Sequence, residues 1–284
     1  MEEKVGIIVC GNSGIDYVSV DYPIDAFRSL LIVDNKEYED YVDMKAEDFY
    51  DIIVKNPDIP LSTSQTSTGY MVEVYEKYKR EGFTDIIVIS VSSKLSGTYQ
   101  NTILASEMVD GINIHAIDSK SVSEGEVYLV RNAIEMIKQG VPAKAIAEKL
   151  NELRNNVKIY VLVDTLKYLV KNGRLSSASG FLGTLLKIKP LLKVQEDGSL
   201  TPFEKIRTTS KARARLLEIV LKDVKDKDVS VFIAHTNNKD EAFEFKKLIL
   251  DVYPNIEISI VPLTPVVGAH AGPGTLGVGI IENK

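Results

Sequence analysis

The sequence predicts an α/β protein built from two α/β domains, and three observations carry that expectation. Apolar strand-like runs alternate with helix-period segments as far as about residue 157, the rhythm of a parallel sheet flanked by helices. The chain has 284 residues, more than one hydrophobic core usually serves. Beyond residue 157 the rhythm changes and a hairpin signal enters, so the expected domains are 1–157 and 158–284.

Residues 5–10 read as a first buried strand, closed by the polar turn Gly11-Asn12-Ser13-Gly14. Residues 27–33 form a second strand candidate, followed by a turn at Asp34-Asn35-Lys36. Residues 46–54 fit a helix with Phe49, Ile52 and Ile53 inward. Next comes Ser62-Thr63-Ser64-Gln65-Thr66-Ser67-Thr68-Gly69, six hydroxyls in seven residues and then a glycine. It leads into a helix with Met71, Val74, Tyr75 and Tyr78 on one face, which Gly82 ends. Residues 85–91 are a buried strand, and a second hydroxyl cluster, Ser92-Ser93-Lys94-Leu95-Ser96-Gly97-Thr98, opens another helix. A strand at 112–117 ends at Asp118-Ser119, and a helix spans 126–138. Pro142 opens a helix to about residue 153, since a first turn has no use for the missing N–H.

In the second half, residues 159–163 read as a strand and 166–170 as a short helix stopped by Asn172-Gly173. Residues 176–186 are helical and apolar on several faces. Residues 191–195 and 199–204 form a hairpin around Glu196-Asp197-Gly198. A helix at 208–221 exposes Arg213 and Arg215; a strand at 229–234, a helix at 241–252 and a strand at 256–261 follow. The chain closes with a glycine-rich loop, Gly268-Ala269-His270-Ala271-Gly272-Pro273-Gly274, and a strand at 276–281.

Composition excludes several function classes. A net charge of −6 and a pI near 5.3 argue against nonspecific nucleic-acid binding. The lone cysteine, Cys10, rules out an internal disulfide and suits a reducing cytoplasm. Residues 5–10 are too short for a signal peptide, and no apolar run reaches the ~20 residues of a membrane span. The expectation is a cytoplasmic protein without an integral membrane segment. His115, His235 and His270 lie far apart, with no Cys-x-x-Cys or His-Glu-x-x-His, so no metal is expected. Nor is there a Walker A sequence or a strand-linked Gly-x-Gly-x-x-Gly, so no cofactor is expected.

The hydroxyl clusters supply the positive signal. Each precedes a helix, where free N–H groups and the positive dipole end favour a carboxylate or a phosphate. One such cluster alone reads as ordinary N-capping; two flanking one helix–strand unit point to a ligand. The apolar stretch Phe181-Leu182-Gly183-Thr184-Leu185-Leu186 fits either core or the wall of an apolar tunnel.

Five motifs together resemble the DegV family. They are Thr63-Ser64-Gln65; Ser92 to Gln100, reading SSKLSGTYQ; Tyr168 to Arg174, reading YLVKNGR; Lys187-Ile188-Lys189-Pro190; and the Gly268 to Gly274 segment. They recur in the family's order and span nearly the whole chain. The resemblance implies a long-chain fatty acid held between two α/β domains. It further implies a non-catalytic subunit that presents the acid to a separate ATP-dependent fatty acid kinase subunit. Carried over by position, it puts the carboxylate near Thr63 and Ser96, with His270 in the hydrogen-bonding network. The chemistry of a buried carboxylate adds the N–H of Gly97 as a donor and has His270 donate to Ser96 or to the acid. It also assigns kinase docking to Arg174 and Arg207, both expected to point into solvent. One departure stands out: the family usually carries Asp-Ser after the first strand, whereas this chain has Gly11-Asn12.

Neutral donors suit a presenting role, because an arginine fork would hold the carboxylate tightly and blunt its nucleophilicity. Two rival readings remain at the level of sequence. A serine acyl hydrolase using Ser96 and His270 lacks a Gly-x-Ser-x-Gly elbow and a placed carboxylate. A binding module for a phosphorylated metabolite would use the same helix N-termini.

Overall fold

The computed structural model of the chain describes residues 3–175 and 188–283; the apolar stretch at 181–186 lies outside them. The elements run β1 Val5–Cys10, β2 Ile24–Phe27, β3 Leu30–Val33, β4 Lys36–Glu39, α1 Ala46–Lys55, β5 Leu61–Ser64 and α2 Thr68–Arg80. Then come β6 Asp85–Ser90, α3 Thr98–Ser106, β7 Asn113–Asp118, α4 Glu124–Lys138 and α5 Ala143–Leu153. The second half holds β8 Val157–Leu162, α6 Lys167–Lys171, β9 Lys189–Val194, β10 Leu200–Ile206 and α7 Thr209–Val224. It continues with β11 Val229–His235, α8 Lys239–Leu250, β12 Glu257–Pro262, α9 Pro265–Ala271 and β13 Leu276–Glu282.

Among the described residues the strands form three sheets. The first is parallel, in the order β2-β1-β6-β7. Its central strands are continuous apolar runs because both faces are covered. Ile7, Val9, Ile87 and Ile89 pack on α4 and α5, while Ile8, Ile86 and Val88 meet Met71, Tyr75 and Ala105 on the other side. The second sheet has six strands in the order β10-β9-β8-β13-β11-β12, parallel only between β11 and β12. Leu216, Val220, Phe245 and Ile249 of α7 and α8 cover one face of it. Its other face carries Ile159, Phe232 and Ala234 and meets Val122 and Tyr128 of the first half.

The third sheet, β4-β3-β5, is small and antiparallel, and it corrects two expectations. Residues 27–33 are not one strand: β2 and β3 belong to different sheets, and the chain switches at Arg28-Ser29. Arg28 holds that switch, pairing through both terminal nitrogens with the Asp16 carboxylate at 2.8 and 2.7 Å. Likewise, Ser62-Thr63-Ser64 lies within β5 instead of preceding a helix. Only the end of the first cluster acts at a helix start, where Ser67 accepts the Tyr70 N–H at 3.3 Å. The turn at Asp34-Asn35 is as the residues predict, with φ of 48° and 62° joining β3 to β4.

The first part of the glycine-rich segment is helical and only Gly272-Pro273-Gly274 remains a loop: residues 265–271 form α9, with Pro265 in its first turn. The Asp40 carboxylate accepts the Val266 N–H at 3.3 Å, doing what a local cap would do. Tyr50 crosses the helix at Gly268 and donates its hydroxyl to the Leu263 carbonyl at 2.8 Å. A Cβ at Gly268 would lie 2.6 Å from the ring's Cε1, so only glycine admits this crossing. Gly272, at φ 79°, ends the helix. Packed among Leu31, Phe49, Tyr50 and Ile53, α9 joins a late segment of sequence to the core of the small sheet.

Gly268→Ala should therefore destabilise by about 1–3 kcal/mol through overpacking. Gly69→Ala, in α2 with nothing near its missing Cβ, should stabilise by about 0.4–1 kcal/mol. Urea midpoints of the two variants compared with the parent check the pair, which should move in opposite directions.

Candidate functional site

Loops at the carboxyl ends of the parallel sheet face the open side of the six-stranded sheet, and a cavity lies there. Ligands collect at such carboxyl ends because the strands diverge into loops that no layer covers. The polar lining comes from Asn12, Ser29, Thr63, Ser64, Gln65, Ser96, Arg174 and His270. The apolar lining comes from Ile159, Val161, Val194, Leu200, Phe232 and Leu263, with Val266 and Val267 of α9.

Thr63 shares a face of β5 with buried Leu61, and strand alternation turns both toward α9. Its hydroxyl lies 2.8 Å from Nε2 of His270 in the last turn of α9, a contact between residues 207 apart in sequence. The Nδ1 atom of His270 is buried without a partner. Burial, with Arg174's positive charge as the second cause, pushes the His270 pKa down to about 4. The ring is therefore neutral at neutral pH. When Nε2 carries its proton, the ring donates to Thr63 and frees the Thr63 hydroxyl hydrogen for an acceptor in the cavity.

Ser96 and Gly97 lie in the loop between β6 and α3, with Gly97 in the N-cap position. The Ser96 oxygen accepts the Thr98 N–H at 3.3 Å and sits 2.9 Å from the Thr98 hydroxyl. His270 thus pairs with Thr63 and not with Ser96, the first of the two partners expected for it. Asp118, at the end of β7, accepts the Ser93 N–H at 3.1 Å and the Ser93 hydroxyl at 2.6 Å, which ties this loop to the neighbouring strand.

The two arginines do not share a setting. Arg174 lines the cavity half-buried, donating from Nε to the Leu95 carbonyl at 3.2 Å and from Nη1 to the Asn172 carbonyl at 2.6 Å. It joins the Ser96 loop to the turn after α6 instead of pointing into solvent. Arg207 is exposed just beyond β10, as expected.

Asn12, Ser29, Ser64 and Gln65 also face the cavity, although none was singled out as a site residue. Ser64 and Gln65 adjoin Thr63 within the hydroxyl cluster, and that adjacency was the available signal. Ser29 gave none, because its place depends on the switch between two sheets. Asn12 is half of the Gly11-Asn12 pair, so the departure from the family pattern falls on the cavity wall. Among the described residues, no group of three His, Cys, Asp or Glu side chains is arranged to hold a metal ion. No described helix is long and apolar enough to cross a membrane.

A family model described as "Uncharacterised protein, DegV family" matches residues 17–283. The chain belongs to the DegV family. A DegV domain-containing protein of Clostridium acetobutylicum is 35% identical over 281 residues, covering 99% of each chain. Another, from Staphylococcus aureus, is 39% identical over 258 residues, covering 90% of this chain and 89% of the relative. Among solved structures, the DegV fatty acid binding protein of Bacillus subtilis superposes with a TM-score of 0.87 at 28% identity, over 99% of this chain and 100% of that one. A fatty acid binding DegV family protein from Streptococcus agalactiae gives 0.90 at 27% identity, again over 99% and 100%. The DegV chain described here shares their two-domain α/β architecture.

Two buried groups bracket α9 with opposite dependence on pH. His270 is held neutral by the fold, so its contribution is complete above the ordinary value of 6.5 and is lost as pH falls toward about 4. Burial raises the Asp40 carboxyl from 3.8 to about 7, against the Thr264 hydroxyl, the Val266 N–H and the Arg28 charge, which lower it. Its contribution is complete below 3.8 and is lost as pH rises toward 7. Between about pH 4.5 and 6.5 each group changes stability by up to about 1.4 kcal/mol per pH unit, with opposite sign. His270→Gln should make the slope of melting temperature against pH more negative, and Asp40→Asn should make it more positive. Slope changes of the same sign in thermal melts would contradict this.

Proposed function

We propose that this chain binds a long-chain fatty acid and presents it to a separate ATP-dependent kinase subunit, which phosphorylates it to acyl phosphate in the bacterial cytoplasm. The carboxylate is assigned to Thr63, Ser96, Gly97 and His270, and the acyl chain to the open face of the six-stranded sheet. In this reading residues 1–157 supply the carboxylate loops and residues 158–284 house the tail, with His270 reaching back across. The observation that carries the reading is the cavity itself, polar around Thr63, where hydroxyls and a neutral imidazole meet, and apolar along β8 and β11.

The energetics fit such a ligand. Burying a tail gains about 0.8 kcal/mol per methylene, on the order of 10 kcal/mol for a long chain. Dehydrating the carboxylate costs several kcal/mol unless donors replace water. The Thr63 and Ser96 hydroxyls and the N–H of Gly97 are neutral replacements, which leave a carboxylate oxygen able to attack a phosphoryl group. Arg174 directs its Nε and one Nη1 donor to two backbone carbonyls, which fixes its place in the wall beside the neutral donors. The related Bacillus subtilis and Streptococcus agalactiae proteins are both described as fatty acid binding, which supports the same ligand class here.

The reading makes the chain non-catalytic. Hydrolysis by Ser96 is disfavoured because His270 pairs with Thr63 and, among the described residues, no carboxylate orients its Nδ1. A phosphorylated metabolite is disfavoured by the extent of apolar lining. Docking of the kinase is assigned to Arg207, with Arg174 bracing the loop that presents the acid.

Protein purified without detergent should yield stoichiometric long-chain fatty acid by mass spectrometry of a lipid extract; an empty extract would overturn the ligand. Thr63→Ala, Ser96→Ala and His270→Ala each remove a donor or its orienting partner, about 1.5–3 kcal/mol. They should retain lipid yet lower acyl phosphate formation roughly tenfold or more. Wild-type rates in all three would refute the carboxylate assignment. Arg207→Glu should slow association with the kinase at low salt while leaving lipid content intact.

A further inference from the structure

The floor of the cavity is the face of three neighbouring strands, β8, β13 and β11. Pairing sets their side chains in rows across the sheet. Val161, Gly277 and Ala234 form the first row, and Ile159, Gly279 and Phe232 the second. The third row is Val157, Ile281 and Ser230. The whole first row lines the cavity, as do Ile159 and Phe232 of the second, whereas the third row does not.

The central strand holds glycine in both lining rows, with different consequences. At Gly277 a Cβ would meet Ala234 at 3.6 Å, an ordinary contact. The missing side chain therefore leaves an open trough between Val161 and Ala234. At Gly279 a Cβ would overlap Cε1 and Cζ of the Phe232 ring. The ring thus lies down across the neighbouring strand and fills the trough where the first row leaves it open. Behind it, Ile281 and Val157 belong to the same packed cluster as Phe232, together with Tyr128 and Val18.

We propose that Phe232, laid over Gly279, is the stop that sets how long an acyl chain this protein accepts. The inference rests on the fatty-acid reading and deepens it. Successive rows on one face are two residues apart, roughly 7 Å, so the stop decides whether the tail gains a further row of sheet to lie on. Each methylene gained or lost at that end should change affinity about fourfold.

The test uses delipidated full-length protein titrated with a homologous series of saturated fatty acids. Phe232→Leu and Phe232→Ala should shift the preferred acid to longer chains, alanine more than leucine. Gly279→Ala should push the ring into the cavity and shift the preference to shorter chains. The double variant Phe232→Leu with Gly279→Ala should return toward the parent profile. A merely structural role for the ring would lower affinity for all lengths alike and produce no opposed shifts. If Phe232→Ala does not fold, the leucine variant carries the test, since it keeps most of the apolar volume. Unchanged length profiles in folded variants would overturn the stop while leaving fatty acid binding intact. Failure of the parent protein to bind any acid of the series would overturn the fatty-acid reading itself.

Discussion

The polar end of the cavity depends on the seating of α9. A helix of seven residues is too short to persist alone, so its geometry must come from what surrounds it. Tyr50 crosses it at Gly268, Asp40 receives its Val266 N–H, and the Asn172 amide donates to its Ala269 carbonyl at 3.0 Å. With the helix held at both ends and along one side, His270 has one place to be. That place is beside Thr63. A hydrogen bond spanning 207 residues is thus the product of packing among Leu31, Phe49, Tyr50 and Ala269.

The same packing explains the electrostatic character of the site. Burial disfavours whichever form is charged, so it lowers the His270 pKa and raises that of Asp40. The protein is acidic overall, yet the groups nearest Thr63 are neutral hydroxyls, amides and an uncharged imidazole. The nearby cation, Arg174, donates to carbonyls of Leu95 and Asn172, and its charge helps to lower the His270 pKa. An anionic group entering from water would meet hydrogen-bond donors without a competing ion pair. Glu126 follows the same rule: fully buried in α4, its carboxyl is pushed well above the usual range by desolvation.

The apolar end follows from a different constraint. A six-stranded sheet has two faces to cover, and α7 and α8 cover one. On the other, Ile159, Phe232 and Ala234 meet the first half only in part, through Val122, Tyr128 and Val18. Gly277 in the central strand removes a side chain that would otherwise fill the gap, whereas the space over Gly279 is taken by the Phe232 ring. Polar and apolar linings are adjacent because the loops after β6 and β7 overhang that uncovered face.

Sequence by itself determined β1 and the succession of helices and strands from α2 to β8, because apolar runs such as residues 5–10 and 86–89 admit no solvated face. It also identified Thr63, Ser96, Gly97 and His270 as residues of interest, since hydroxyl clusters and a histidine among glycines are local features. Membership in the DegV family was legible for the same reason, through five short motifs. Tertiary structure alone decided which of those residues meet. Thr63 reaches His270 through pairing of β5 with β3, and nothing in residues 61–64 announces a strand that must find Leu31. The segment 265–271 is helical because Asp40 and Tyr50, more than 200 residues earlier, supply its cap and its packing. Arg174 reads as a surface charge after a glycine turn, yet carbonyls of Leu95 and Asn172 draw it into the cavity wall. Period and composition report what each segment buries; which partner it is buried against is set by long-range register and crossing, which no local pattern encodes.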